Sequence, residues 1–244
     1  MRLTRIHVPG PLVSGQEITL PAQAAEHLVR VLRLSPGAPL ILFDGAGGEY
    51  AATISAAGKQ VRARVLEHRA VERESPLDIT LLQGIARGER MDLIVQKATE
   101  LGVRRIVPLL TERSVVRLEA KQRARKHEHW RSIAVSACEQ CGRDRVPQVD
   151  APVGLGDAIA GLAAGGLRCL LAADGARSLP RAARTAPGAI ALLIGPEGGL
   201  AEGERKFALA NSFETLRLGP RIMRTETAGL AALAALQAIA GDFA

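Results

Sequence analysis

Aromatic side chains are rare in this sequence, which contains one Trp, one Tyr and four Phe among its 244 residues. Apolar residues nevertheless make up 47% of the chain. A chain of this length can bury a substantial core in one large or two modest domains. That core must therefore be built mainly from Ala, Leu, Val and Ile.

Cysteine is rare as well, and no long apolar segment is present. The three cysteines are too few and too unevenly placed for the disulfide framework of a small secreted protein. Residues 1–8 lack the apolar centre of a secretory signal, and the apolar run 228–240 is too short to span a bilayer. We therefore expect a cytoplasmic protein without a membrane partner.

Cys138 and Cys141 form a CxxC pair, and His127 and His129 lie upstream of it. The spacing matches no usual zinc-ligand pattern, and two histidines at i and i+2 of a helix point to different faces. We therefore expect packing roles for the cysteines rather than a zinc site or a redox pair, and we predict no metal.

Arginine dominates the basic residues. Of the 32 basic residues five are lysines and 27 are arginines, and the net charge is +7. Arginine makes bidentate contacts to phosphates and stacks on bases, which favours RNA or DNA as a partner. A GC-rich codon bias would raise the Arg, Ala and Gly contents together, and composition alone does not separate the two explanations.

The first 72 residues show short strand patterns separated by close turns, which is typical of a small β-barrel. The strand candidates are 5–8, 17–20, 39–43, 49–54 and 60–66, with one amphipathic helix over 21–34. Basic side chains here are candidate RNA contacts, with an ordinary solvated surface as the alternative: Arg2, Arg5, His27, Arg30, Arg33, Arg62 and Arg64. The charged segment 67–76 marks the expected domain boundary.

Beyond this segment, strand and helix patterns alternate, which predicts an α/β domain with a parallel sheet and helices on both faces. The strand candidates are 77–83, 104–110, 169–173, 189–194 and 215–218. The helix candidates are 87–101, 119–139, a short one within 151–166, 180–184 and 228–240. The last of these is apolar nearly all round, so it must be buried in the core or against a partner subunit.

Two loops rich in small residues follow strands of this sheet, at 195–199 and 218–228. Loops at the carboxyl ends of parallel strands are where α/β sheets bind ligands. The sequence has no strand–GxGxxG–helix unit and no GxxxxGK[ST], which argues against a dinucleotide fold and a P-loop. Thr225 is expected to cap the last helix, but capping does not explain Arg221 and Arg224 in the same loop.

A second group of polar residues falls at element ends that we expect on one side of the sheet. It consists of Glu100, Glu112, Arg113, Glu139, Gln140 and Arg143. Ordinary surface charge is the alternative for each of them. The segment 139–143 places several polar groups at the end of a helix, and we predict that it is functional.

Several of these segments resemble a known family. Ile194-Gly-Pro-Glu-Gly-Gly-Leu200 and Leu218-Gly-Pro-Arg-Ile-Met-Arg-Thr-Glu-Thr-Ala228 closely resemble the paired C-terminal motifs of the SPOUT methyltransferases. The segments 27–33, 44–45, 97–103, 111–114 and 139–143 narrow the resemblance to the RsmE family, the 16S rRNA (uracil-N3)-methyltransferases. Met223 and Cys141 are small departures, since Leu and Ser are commoner there.

This resemblance implies a PUA-like RNA-binding β-barrel over 1–72 and a SPOUT methyltransferase domain with a C-terminal trefoil knot over 73–244. The protein would be a homodimer that uses S-adenosylmethionine to methylate N3 of one uridine in small-subunit ribosomal RNA, free or in an assembled 30S subunit. Two alternatives are a SPOUT enzyme with another target atom, such as the ribose 2′-oxygen or guanine N1, and a non-catalytic RNA-binding assembly factor.

The resemblance also implies the site residues. Arg224 would be catalytic and stabilise an anion, with Arg143 as a helper or phosphate contact and Glu139 as a base or orienting group. The expected cofactor contacts are Leu171, Ile194, Gly195, Pro196, Glu197, Gly198, Gly199, Leu218, Gly219, Ile222, Met223, Thr225, Thr227 and Ala228. The expected RNA contacts are Arg5, His27, Arg30, Arg33, Arg113 and Arg221.

Overall fold

The computed structural model describes residues 3–114, 118–184 and 188–243, and its contacts divide into two compact units. The first unit comprises Met1–Glu74 together with Cys138–Val146, and the second comprises Ser75–Ala137 together with Pro147–Ala244. Arg2, one of the candidate RNA contacts, lies outside the described residues.

The first unit contains a five-stranded sheet. Its strands are β1 (Arg5–His7), β2 (Glu17–Thr19), β3 (Pro39–Phe43), β4 (Glu49–Ala57) and β5 (Val61–Arg69). They lie in the order β1-β3-β4-β5-β2, with β1 parallel to β3 and the other pairs antiparallel. Val61, Ala63 and Val65 are buried, while Arg62 and Arg64 between them are exposed. This alternation is what predicts β5 from the sequence.

The helix predicted over 21–34 forms as two different parts. It begins as α1 (Ala22–Glu26) and continues as a π-helical turn over His27–Val31. The wider turn appears in the backbone, where the Leu32 N–H donates to the His27 carbonyl five residues earlier. Leu28 is buried, whereas His27, Arg30 and Val31 are exposed. The turn therefore presents basic and apolar side chains together at the surface.

The second unit is built on an eight-stranded parallel sheet. Its strands are β6 (Ile79–Gly84), β7 (Arg105–Leu110), β8 (Gln148–Val149), β9 (Val153–Gly154), β10 (Leu167–Leu171), β11 (Arg177–Ser178), β12 (Ile190–Ile194) and β13 (Glu214–Arg217). The order is β11-β13-β10-β12-β6-β7-β8, and β9 also pairs with β7. The predicted α/β architecture is confirmed. The sequence patterns missed β8, β9 and β11, because two residues are too few to show a period.

Six helices of the described chain accompany this sheet. They are α2 (Arg90–Glu100), α3 (Ala120–Cys141), α4 (Leu155–Ala160), α5 (Leu179–Ala183), α6 (Glu202–Ala210) and α7 (Thr225–Ala240). The last four residues of α3 are grouped with the first unit. The predicted start of α2 at residue 87 is wrong. Gly88 has a φ of 65°, which a right-handed helix cannot include.

Helices cover both faces of the parallel sheet. Leu82 and Leu193 belong to one apolar cluster with residues of α4 and α6. The neighbouring strand residues point the other way, and there Leu81 and Ile194 lie beside Gly229 of α7. Among the described residues, no helix combines the length and apolar character that crossing a membrane requires.

Candidate active site

A cavity of about 470 Å³ opens at the carboxyl ends of β10, β12 and β13, entirely within the second unit. Its volume lies in the range of small-molecule sites, and its place in the sheet is where such folds bind ligands. Most of the expected cofactor contacts line it, together with two arginines of the same loop: Leu171, Ile194, Gly195, Pro196, Glu197, Gly199, Leu218, Gly219, Arg221, Ile222, Met223, Arg224, Thr225 and Ala228. The fold therefore brings the two glycine-bearing loops together in one pocket.

Two of the expected cofactor contacts, Gly198 and Thr227, are not among the residues that line the pocket. A Cβ on Gly198 would lie 3.1 Å from the backbone oxygen of Arg113, so this glycine packs against the loop after β7. Thr227 lies in the first turn of α7 and is exposed. Arg113, an expected RNA contact, is exposed beside Gly198.

The loop 195–199 is held by close backbone packing and by its glutamate. A Cβ on Gly84, at the end of β6, would lie 2.5 Å from the backbone nitrogen of Pro196, so only glycine allows this approach. Glu197 accepts hydrogen bonds from the Arg87 N–H and from Arg90, each at 2.9 Å. Burial opposes ionisation of Glu197, but these donors outweigh it and lower the pKa of its carboxyl group.

Thr225 joins this loop to the last helix. Its hydroxyl donates to the Gly195 carbonyl at 2.6 Å and accepts from the Gln83 amide at 2.9 Å. The prediction that Thr225 caps α7 is therefore wrong. The N-cap position belongs to Arg224, and Thr225 instead uses its hydroxyl to tie α7 to β6 and to the loop after β12.

The pocket combines apolar walls with a charged rim. Ile194 and Leu171 are apolar lining residues, and Ile222, which also lines the pocket, is 89% exposed. Arg221 and Arg224 line it too, and neither forms an ion pair with another described residue. Such a site suits a ligand that has an apolar ring system and negative charge.

Two further charged residues line the pocket, and no local sequence pattern predicts that they belong to it. Arg90, the first residue of α2, lies 2.9 Å from Glu197 and 3.7 Å from Glu226. Arg205 pairs with Asp174 at 2.7 Å, and its hydrogen bond lowers the pKa of that carboxyl group. Their partners lie 31 or more positions away in the chain, so only the fold assembles these pairs.

Glu139 and Arg143, the other expected catalytic residues, belong to the first unit and are engaged there. Arg143 is 5% exposed and contacts both carboxylate oxygens of Glu74, with Nε at 2.9 Å from Oε1. Burial would lower the pKa of Arg143, but its hydrogen bond to Glu74 reverses this and raises it. Glu139 accepts the His7 N–H at 2.9 Å, and burial raises the pKa of Glu139. These contacts give both side chains a structural use, and the catalytic roles stay predictions.

The expected RNA contacts of the first unit differ in exposure. The interpretation of Arg5 as a surface residue is wrong. It is 8% exposed, and its guanidinium lies between Glu49 and Asp144. His27, Arg30 and Arg33 are exposed, and Arg33 has a φ of 54°, unusual for a side chain of this size. For these three residues, RNA contact stays a prediction.

Two of the three cysteines are packed thiols in this structure, and Cys141 is half-buried. Cys138 and Cys169 are buried, and burial raises the pKa of each thiol to about 12. Such thiols remain protonated at neutral pH and are poor nucleophiles and ligands. Within the described ranges, no group of three or more His, Cys, Asp and Glu side chains is arranged to bind a metal.

Two family profiles match the sequence, one in each part of the chain. The RNA methyltransferase domain matches residues 73–237, and the RNA methyltransferase PUA domain matches residues 20–66. Ribosomal RNA small subunit methyltransferase E of Synechocystis sp. is 34% identical over 226 residues, covering 91% of this chain and 73% of that protein. The protein of the same name from Bacillus subtilis is 32% identical and covers 92% of this chain and 88% of its own length.

The chain belongs to the ribosomal RNA small subunit methyltransferase E family. Solved structures agree with this assignment. A putative methyltransferase from Legionella pneumophila, in complex with its cofactor SAM, is 40% identical with a TM-score of 0.94 over 100% of both chains. Ribosomal RNA small subunit methyltransferase E from Neisseria gonorrhoeae, bound to S-adenosyl methionine, is 38% identical with a TM-score of 0.92 over 100% of both chains. The predicted family, its methyltransferase domain and its PUA domain are confirmed.

Proposed function

We propose that this protein is an S-adenosylmethionine-dependent methyltransferase that modifies N3 of one uridine in 16S ribosomal RNA. The observation that carries the proposal is the pocket formed by the loops 195–199 and 218–228. Two relatives with the same fold over their whole length are described with this cofactor bound. The uridine N3 target rests on the sequence resemblance to the RsmE family.

The pocket residues fit the cofactor. Backbone groups of Gly195, Gly199 and Leu218 can supply the donors and acceptors that the edge of an adenine needs. Leu171 and Ile194 form apolar walls for its ring. Bound there, the cofactor supplies an electrophilic methyl group on a sulfonium centre.

The nucleophile is the harder part of the reaction. N3 of uracil is an imide nitrogen, and its electron pair becomes available only when the proton has left. The resulting negative charge spreads over O2 and O4, so a nearby cation stabilises it. Arg224 lines the pocket without an ion-pair partner among the described residues, and we assign this role to it. N3 also lies on the pairing edge of the base, so the target uridine must be unpaired when it enters.

The proposal extends to domain boundaries, assembly and location. It includes domains over 1–72 and 73–244, a trefoil knot in the second domain, a homodimer and a cytoplasmic location, as the resemblance implies. Apolar residues of the second unit that remain exposed, among them Phe207, Leu209 and Phe243, are available for an interface between copies. Light scattering coupled to gel filtration tests the dimer, and a monomer at micromolar concentration would contradict it.

The function is tested by identifying the product. The purified protein is incubated with S-adenosylmethionine carrying a labelled methyl group and with either free 16S rRNA or 30S subunits. The RNA is then digested to nucleosides and analysed by mass spectrometry. We expect labelled N3-methyluridine. A labelled 2′-O-methylnucleoside or N1-methylguanosine would support another SPOUT reaction. Cofactor binding without transfer to either substrate would contradict the proposal, and absence of cofactor binding would favour a non-catalytic RNA-binding factor.

A further inference from the structure

Glu226 is an acidic residue of the pocket to which the sequence motifs gave no role. It lies in the first turn of α7, and its side chain is 15% exposed. Its Oε1 is 3.7 Å from Nε of Arg90. Its Oε2 is fully buried and accepts no hydrogen bond within the described structure. A buried carboxylate oxygen without a donor is costly, so the Glu226 carboxylate, on a side chain that lines the pocket, has capacity for a further hydrogen-bond donor.

We propose that Glu226 is the general base that removes the N3 proton of the target uridine, an inference that rests on the proposed function. The Glu226 carboxylate takes the proton from N3, and the N3 electron pair forms the bond to the methyl carbon. The carbon–sulfur bond breaks with its electron pair left on sulfur. The products are N3-methyluridine, S-adenosylhomocysteine and a protonated Glu226, which returns its proton to solvent.

The arrangement around Glu226 favours this role over the other acidic groups near the pocket. Glu197 already accepts two hydrogen bonds, and its lowered pKa makes it a weak base. Asp174 is paired with Arg205 and likewise has a lowered pKa. Only Glu226 among these three has a buried carboxylate oxygen left without a partner in the described chain.

Neighbouring residues supply what a base for an imide requires. Arg224 lies two positions earlier in the chain and lines the same pocket, so one pocket offers a bound uridine both a base and a cation. Thr225, between them, is fixed to the Gly195 carbonyl and to Gln83. The backbone that carries both groups is therefore held in place before the ligand arrives.

The test is the Glu226→Gln variant, which keeps the size of the side chain and removes its basicity. Its affinity for S-adenosylmethionine is measured by calorimetry, and its single-turnover methylation rate is measured from neutral to alkaline pH. We expect cofactor affinity within about 3-fold of wild type and a rate at neutral pH that is ~100-fold lower, the usual scale of general base catalysis. The deficit should shrink as pH rises, because the uridine imide then ionises without help.

A second substrate distinguishes a base from a structural residue. RNA that carries 5-fluorouridine at the target has a more acidic imide, so Glu226→Gln should recover most of its lost rate on it. The matched control is Glu202→Gln, an exposed glutamate of α6 paired with Lys206, which should behave as wild type throughout.

Each outcome decides the proposal. A wild-type rate for Glu226→Gln, or a deficit that neither alkaline pH nor 5-fluorouridine reduces, overturns it. A cofactor affinity that falls in proportion to the rate makes Glu226 a cofactor ligand and also overturns it, while the proposed function stands. Failure of the wild-type protein to form N3-methyluridine would instead remove the proposed function itself.

Discussion

Charged side chains are partnered in opposite ways in two regions of this molecule. In the first unit, Arg5 lies between Glu49 and Asp144, Arg73 contacts the same two carboxylates, and Arg143 pairs with Glu74. In the pocket of the second unit, Arg221 and Arg224 have no ion-pair partner among the described residues, and one oxygen of Glu226 is buried alone. Ion-paired networks of this kind favour a fixed structure, even though Nε of Arg5 has no hydrogen-bond partner among the described residues. Charges left open in a pocket indicate ligand chemistry.

The largest expected effect tests the closed network. Asp144 is 1% exposed and accepts hydrogen bonds from Arg5 and Arg73. Asp144→Ala leaves two cations without this partner, and we expect a loss of ~3–5 kcal/mol in the free energy of unfolding. Urea denaturation measures it. The control is Glu67→Ala, which removes an exposed contact 3.9 Å from Arg69 and should cost less than ~1 kcal/mol. Equal losses in the two variants would show that the buried ion pairs of Asp144 stabilise the fold no more than an exposed contact does.

The next effect tests the open charges. Arg224→Ala should lower kcat by ~10²–10³-fold, because the anion on the uridine loses its stabilising cation. Its urea midpoint should stay at the wild-type value, since the side chain has no described ion pair to lose. Arg224→Lys keeps the charge and should retain part of the rate. Near-wild-type kcat in Arg224→Ala would contradict the role assigned to this residue.

Thr225 combines features of both regions, because its hydrogen bonds hold the fold together and it also lines the pocket. Thr225→Val keeps the shape and removes the bonds to the Gly195 carbonyl and to Gln83. We expect a loss of ~1–3 kcal/mol in unfolding free energy, measured by denaturation, and weaker cofactor binding, measured by calorimetry. Thr227→Val, in the same turn but exposed, should leave stability within about 0.5 kcal/mol of wild type. Full retention of cofactor affinity in Thr225→Val would show that the Thr225 hydrogen bonds do not contribute to cofactor binding.

The smallest effect is a pH dependence. Burial raises the pKa of Glu139 in the folded protein, so its stabilising contribution is complete below the ordinary carboxyl pKa and is lost as pH rises through the raised value. Glu139→Gln stays neutral, and its amide oxygen can still accept the His7 N–H. The variant should therefore be more stable than wild type at neutral pH, with a difference that fades below the ordinary carboxyl range. Thermal unfolding across pH measures this, and a variant less stable at neutral pH would refute it.

Local patterns in the sequence predict much of this fold. Alternation of apolar and polar residues predicts β5, and the position of the two glycine loops after strands predicts the pocket. The motif from Leu218 to Ala228 helps to identify the family. These features are visible because each depends on residues close together in the chain.

The missed features depend on pairs that are far apart in sequence. Arg90 contacts Glu197 across 107 positions, and Glu74 engages Arg143 across 69. Arg5 looks like an exposed basic residue until Asp144, 139 positions away, is placed beside it. A local pattern reports whether a side chain is polar, whereas its long-range partner decides whether its charge is buried in a network or remains available to a ligand.

Arg90 also makes the two halves of the pocket dependent on each other. One guanidinium faces Glu197 on the loop after β12 and Glu226 on α7. When a ligand neutralises Glu226, Arg90 interacts with Glu197 alone. When a ligand displaces Glu197, Arg90 interacts with Glu226 alone. Two molecules that occupy the two halves therefore alter each other's affinity through this shared cation, and by reciprocity each does so by the same free energy.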